Sequence, residues 1–196
     1  SADGRGGCTS FSLARALDHA ITAGSDVLNL SLGGPADPLL ERLLVTAIAQ
    51  DIVVVAAQGD VGRPSAFPAG VHGVIAVSSA SSPAEATRLA APGRDVLTLV
   101  PPDGYDYLSG SSMAAAHVSG IVALLLERAP ALHAADIESL LLRTARPAGR
   151  AGSGTGRTVS ACDALAELSA AVRCGVDALP ERAAHAGLPV EALETD

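Results

Sequence analysis

The chain has 196 residues, enough for one domain with a sizeable core, and a formal net charge of -8. Hydrophobic residues make up 48% and aromatics only 2%, so the core must be built from Ala, Val, Leu and Ile, which suit helix-on-sheet layers. The scattered acidity excludes a basic nucleic-acid footprint, and no apolar run reaches membrane-spanning length.

In chain order, Ser10 to Ala23 is predicted as an amphipathic helix, with Leu13, Leu17, Ala20 and Ile21 at helical spacing. Asp26 to Leu32 reads as a short apolar strand stopped by Gly33-Gly34-Pro35. Asp37 to Gln50 is a second helix, with Asp37 as N-cap and Pro38 in the first helical position. Ile52 to Ala57 is dominated by β-branched residues, the signature of a strand buried on both faces, and Val74 to Ser79 is another. Helices are predicted over Ser112 to Arg128, Ala134 to Thr144 and Ala161 to Val172. The Gly-rich stretch Ala148 to Thr158 lacks the strand before it and the Lys-Ser/Thr after it that a phosphate cradle needs, so it reads as a surface connection. From Cys174 onward periodicity fades and the chain turns acidic, dividing it into a domain at 1–173 and a tail at 174–196.

Strand, helix and strand at such short intervals imply right-handed crossovers. The expected architecture is a three-layer helix-sheet-helix α/β fold with a mostly parallel sheet. Ligands of such sheets sit beyond the carboxyl ends of the strands, where Asn29, Ser31, Gln58 and Asp60 fall. The odd cysteine count, Cys8, Cys162 and Cys174, excludes a fully paired monomer, and the spacings match no zinc site. Cys162 and Cys174 are close enough to pair in an oxidising compartment; free buried thiols are the alternative. Ser1-Ala2-Asp3-Gly4 has no cationic n-region or apolar h-region, so no signal peptide is expected within this chain.

Ser112 stands where a turn of small residues runs into an apolar helix. A serine there is most often an N-cap, yet a nucleophile also gains from the free amides of a helix start. The surrounding segments decide between these. Asn29-Leu30-Ser31-Leu32-Gly33-Gly34-Pro35 resembles the substrate-binding strand of the subtilisin-like serine proteases. Val53 to Asp60 resembles their oxyanion-hole strand, usually ending Ala-Gly-Asn. Ala66-Phe67-Pro68 followed by Val74-Ile75-Ala76-Val77 is similar to the turn and strand that come next, and Ala91-Pro92-Gly93 to the loop before the nucleophile. Gly110-Ser111-Ser112-Met113-Ala114-Ala115-Ala116-His117-Val118-Ser119-Gly120 resembles the family's Gly-Thr-Ser-Met-Ala-Ser/Thr-Pro-His-Val-Ala-Gly. These matches follow the family's order over roughly Ser1 to Leu168.

The resemblance implies a subtilisin-like fold and a serine endopeptidase acting on polypeptides, with Ser112 as nucleophile. Ser31, Leu32 and Gly33 would pair with the substrate backbone as an added strand. Ala57, Gln58 and Gly59 would form the other wall of the pocket for the residue before the scissile bond, with Ala66 near its base. Gly4, Arg5 and Gly6 align with the opposite substrate edge. The family's Asp and its His-Gly-Thr-His segment lie upstream of the residues matching Ser1 to Gly4. Both partners of Ser112 are therefore expected in an N-terminal portion, on the same precursor or a second chain, and this chain alone should have almost no activity. His117, about 140° around the helix from Ser112, is not the base. Family likeness also implies secretion or the cell envelope, and calcium, although no carboxylate cluster of suitable spacing is visible.

Asp60 occupies the place of the usual oxyanion Asn; some relatives use Asp there. An ionised Asp would repel the forming charge, so the change implies acid-shifted or lost activity. Ala115 and Ala116 replace Ser/Thr-Pro; the missing Pro removes a rigid helix-start element but no chemical group. Pro68 remains as a candidate cis peptide in the substrate pocket. Two other functions compete: a catalytically dead pseudoprotease that binds extended peptides or serves a structural role, and an α/β-hydrolase esterase using Ser112, Asp163 and His185. The esterase elbow needs Gly-x-Ser-x-Gly after a strand, which this segment lacks.

Overall fold

The computed structural model describes residues 8–59, 67–80, 89–147 and 157–174. Expectations for Gly4, Arg5, Gly6, Asp60, Ala66, the Gly-rich stretch 148–156 and the tail 175–196 lie outside the described residues.

Helix α1 (Ser10–Thr22) starts on a Thr9 capping box, and strand β1 (Val27–Leu30) follows. Helix α2 (Pro38–Ala49) opens as expected: the Asp37 carboxylate accepts from the Leu39 and Leu40 amides at 3.0 and 3.4 Å. Strands β2 (Val53–Ala57), β3 (Ile75–Ser79) and β4 (Leu89–Ala91) continue the sheet. A hairpin of β5 (Val96–Val100) and β6 (Gly104–Leu108) leads into the long helix α3 (Ser111–Arg128). Helix α4 (Ala134–Thr144), strands β7 (Arg146–Pro147) and β8 (Arg157–Thr158), and helix α5 (Ala161–Leu168) complete the chain.

The sheet runs β1-β2-β3-β4-β8-β7, parallel from β1 through β8, with β7 antiparallel at the end. β2 shows why the layers number three. Val53, Val55 and Ala57 join a core with α3, α4 and α5, while Val54 and Ala56 join a second core with α1 and α2. Each buried valine is worth about 1.5–3 kcal/mol, and a β-branched run can place side chains on both faces at once.

Two element ends differ from the expectation by more than one residue. β1 stops at Leu30, whose pairing with Ala56 is the last rung to β2, so Ser31 and Leu32 leave the ladder. α5 stops at Leu168, not Val172. Its C-cap Ser169 donates its amide to Leu165 and Ala166, and its hydroxyl accepts from Arg128 at 2.9 Å. Beyond it, Cys174 is disulfide-bonded to Cys162 with a Cα–Cα distance of 5.6 Å, which settles the cysteine alternatives in favour of pairing. Cys8 is free and exposed. The Phe67-Pro68 bond is cis, as the sequence suggested, and so is Pro101-Pro102. Among the described residues no helix is long and apolar enough to cross a membrane.

Candidate active site

The carboxyl end of β1 and the amino end of α3 meet. The Ser31 hydroxyl donates to the Ser112 carbonyl at 2.9 Å, and Asn29 Nδ2 donates to Ser31 Oγ at 3.0 Å. The Ser112 hydroxyl lies 3.5 Å from the Ser31 carbonyl, too long for a strong O–H···O bond, and its side chain is half-buried. Ser112 is not an N-cap. That position belongs to Gly110, which has no side chain to offer, so the first-turn amides receive no side-chain acceptor from it.

Two glycines build the turn. Gly110 sits at φ 150°, which a side chain would strain. Its amide donates to the Gly93 carbonyl at 2.7 Å. A Cβ on Gly93 would come within 2.7 Å of the Gly110 carbonyl and 2.8 Å of Ser79 Oγ, so the Ala91-Pro92-Gly93 loop packs directly under the turn that carries Ser112. Ser109 pins the hairpin beside it by accepting the Asp95 amide at 2.8 Å.

The segment after β1 is anchored from the other side. The Gly34 amide donates to the Phe67 carbonyl at 3.1 Å in an antiparallel bridge. Ala57 is buried at the end of β2; the Gln58 amide donates to Val77 at 2.9 Å, and Gly59 takes φ 89°. Ser31, Gly33 and Gly34 are exposed, and Leu32 packs partly into the core. The structure thus brings Ser31 and Ser112 together. It sets Ala57, Gln58 and Gly59 on a neighbouring strand end. Residues 1–160 match the subtilase family.

The chain belongs to the subtilase family. It is 35% identical over 159 residues to subtilisin DY of Bacillus licheniformis, covering 74% of this chain and 58% of that protein. To the major intracellular serine protease of Bacillus subtilis (strain 168) it is 35% identical over 125 residues, 56% of this chain and 39% of the relative. Among solved structures, the self-cleaved protease domain of PatA aligns with TM-score 0.69 at 30% identity, covering 84% of this chain and 70% of its own. A cold-adapted subtilisin-like serine proteinase aligns with TM-score 0.71 at 25% identity, over 80% and 63%. The chain therefore spans less than two thirds of the subtilase sequences it resembles, and its α/β fold is theirs.

Several other titratable groups among the described residues tie the scaffold of this subtilase chain together. His117 donates from Nδ1 to the Met113 carbonyl of its own helix at 2.9 Å. Asp51, at the amino end of β2, accepts the Ala134 amide at 2.8 Å and pairs with His133 at 2.6 Å. The Ala134 amide and His133 hold the Asp51 carboxyl below its usual range, while the Asp51 hydrogen bond raises His133. This pair lies at the opposite end of the sheet from Ser112 and caps α4. Asp163, the esterase candidate, is engaged by Arg146 at 2.5 and 2.8 Å, and that pairing with the Ser160 contact holds it at about 2. The described residues contain no group of three His, Cys, Asp or Glu side chains that could hold a metal, so no calcium site is assigned to them.

Sequence reading missed the contact between Asn29 and Ser119, whose hydroxyl lies 2.9 Å from Asn29 Oδ1. The available signal was that Ser119 stands where the family motif has Ala.

Proposed function

We propose that this chain is the C-terminal portion of a subtilisin-like serine endopeptidase domain, completed by an N-terminal portion that carries the Asp and His. The observation that carries the reading is the hydrogen bond from Ser31 to the Ser112 carbonyl, because it joins the substrate-strand motif to the nucleophile motif. In this reading Ser112 Oγ attacks the scissile carbonyl and passes its proton to the incoming His. The amides at the start of α3 face the developing oxyanion, and Asp60 donates to it only when protonated. Ser31, Leu32 and Gly33 pair with the substrate backbone. Ala57, Gln58 and Gly59, with Ala66, shape the pocket for the preceding side chain, and Gly4, Arg5 and Gly6 form the far edge.

The need for another portion has its own support. Among the described residues β1 pairs only on its β2 side, and an unpaired strand edge calls for a partner. A groove of about 550 Å³ between Asp26 and Val27 on one side and Ala123, Leu126, Glu127 and Pro130 on the other adjoins that edge. The Cys162–Cys174 disulfide supports export to an oxidising compartment.

The test is the full-length gene product treated with a fluorophosphonate probe. Labelling that Ser112→Ala abolishes is expected, with peptidase activity lost by several orders of magnitude. An unlabelled full-length protein would establish the pseudoprotease reading instead. Asp60→Asn, which donates at any pH, should raise the rate most at alkaline pH, by up to about 10²–10³-fold for one oxyanion donor. Rate profiles from pH 5 to 9 of equal shape and height would remove Asp60 from the mechanism.

A further inference from the structure

The nucleophile helix carries a second serine on the face that meets β1. Ser112 and Ser119 are seven residues apart in α3, about 20° short of two full turns, so both address the same side. The Ser119 hydroxyl shares its proton between Asn29 Oδ1 at 2.9 Å and the Ala115 carbonyl at 3.0 Å. Asn29 passes the contact on: Nδ2 donates to Ser31 Oγ at 3.0 Å, and Ser31 Oγ donates to the Ser112 carbonyl at 2.9 Å. A run of hydrogen bonds thus leaves α3 at Ser119 and returns to it at Ser112, through two side chains from the β1 end.

We propose that Ser119 is a positioning residue for Ser112, acting through Asn29 and Ser31; the inference rests on the endopeptidase reading above. An exposed asparagine amide can turn over, and its two faces have opposite hydrogen-bonding character. Ser119 restricts that freedom: with its proton on Oδ1 it leaves Nδ2 facing Ser31, and a turned amide is met only if that proton goes wholly to the Ala115 carbonyl. The Ser31 oxygen is then occupied as an acceptor, and its single proton goes to the Ser112 carbonyl. Without Ser119 the amide can present Oδ1 to Ser31 and draw that proton away from Ser112. The nucleophile's turn then loses its tie to the substrate strand. Alanine, the residue of the family motif at this position, has no hydroxyl with which to set the amide, so this device belongs to the present sequence.

The experiment compares the full-length gene product with Ser119→Ala and Ser119→Thr. It measures kcat, KM, the second-order rate of fluorophosphonate labelling and Tm. Ser119→Ala should lower kcat and the labelling rate together by about three- to tenfold, the fold-change of one net hydrogen bond. KM should stay within about twofold, and Tm should not fall, because Ala is the better helix former. Ser119→Thr, which keeps the hydroxyl, should restore both rates. An unchanged kcat in Ser119→Ala, a loss that tracks a fall in Tm, or a failure of Thr to restore the rates would overturn the inference while leaving the endopeptidase reading intact. A wild-type protein inert to probe and substrate would overturn the endopeptidase reading, and this inference with it.

Discussion

At the start of α2, Asp37 turns its carboxylate back onto two amides; at the start of α3, Gly110 offers them nothing. α1 and α5 follow α2, with Thr9 and Ser160 as acceptors, and α4 is served from a distance by Asp51. An N-cap side chain is worth about 1 kcal/mol, so a helix that forgoes one gives up stability at that point. The forgone cap sits beside Ser112, where free amides are useful to an anion. The same local feature is thus filled by a side chain at one helix and left without one at another.

The sharpest way to break that comparison is Gly110→Ala. Its φ of 150° belongs to a region that side chains rarely enter, so the variant should lose about 1–3 kcal/mol of stability. Its fluorophosphonate labelling should fall further than unfolding explains, since the turn carrying Ser112 is displaced. Chemical denaturation alongside the labelling rate checks both, and a variant with normal labelling would show that Ser112 does not need this turn geometry in order to react. Asp37→Ala should cost about 1 kcal/mol in the same denaturation experiment, with the labelling rate of the folded protein unchanged. A change in labelling would mean that the two helix starts are not separable.

The smallest effect concerns Asp163, an acid in the first turn of α5. Its folded pKa of about 2 lies below the ordinary 3.8 because Arg146 and then Ser160 hydrogen-bond to it. A depressed pKa contributes stability that is fully present above about pH 4 and lost as pH falls toward 2. Asp163→Asn should therefore flatten the dependence of Tm on pH between 4 and 2 and leave activity alone. The effect should be modest because water screens an exposed pair. An unchanged slope in that window would show that the Arg146 contact does not hold in solution.

Legibility followed locality. Ala134 to Thr144 matches α4 at both ends, and the Asp37-Pro38 start of α2 appears as expected, because caps and helical spacing act within a few residues. The hairpin of β5 and β6 was not foreseen. Its strands turn Leu97, Leu99, Tyr105 and Tyr107 to solvent, and Asp106 with them, so apolar residues there mark no buried face. β4, β7 and β8 have three, two and two residues, too few to carry any period.

By itself the sequence determined the order of the main strands and helices, the double-sided burial of β2, the capping of α2 and the motif that singles out Ser112. These depend on side-chain type, short-range sterics and spacing along one segment. Only the tertiary structure decided that Ser31 touches Ser112 across 81 residues, that Ser119 reaches Asn29 across 90, that Asp51 binds His133 across 82, and that Cys162 pairs with Cys174. Each of these needs atoms within about 3 Å or a covalent bond, and no periodicity encodes such a meeting before the sheet has brought the strand ends and helix starts into one plane.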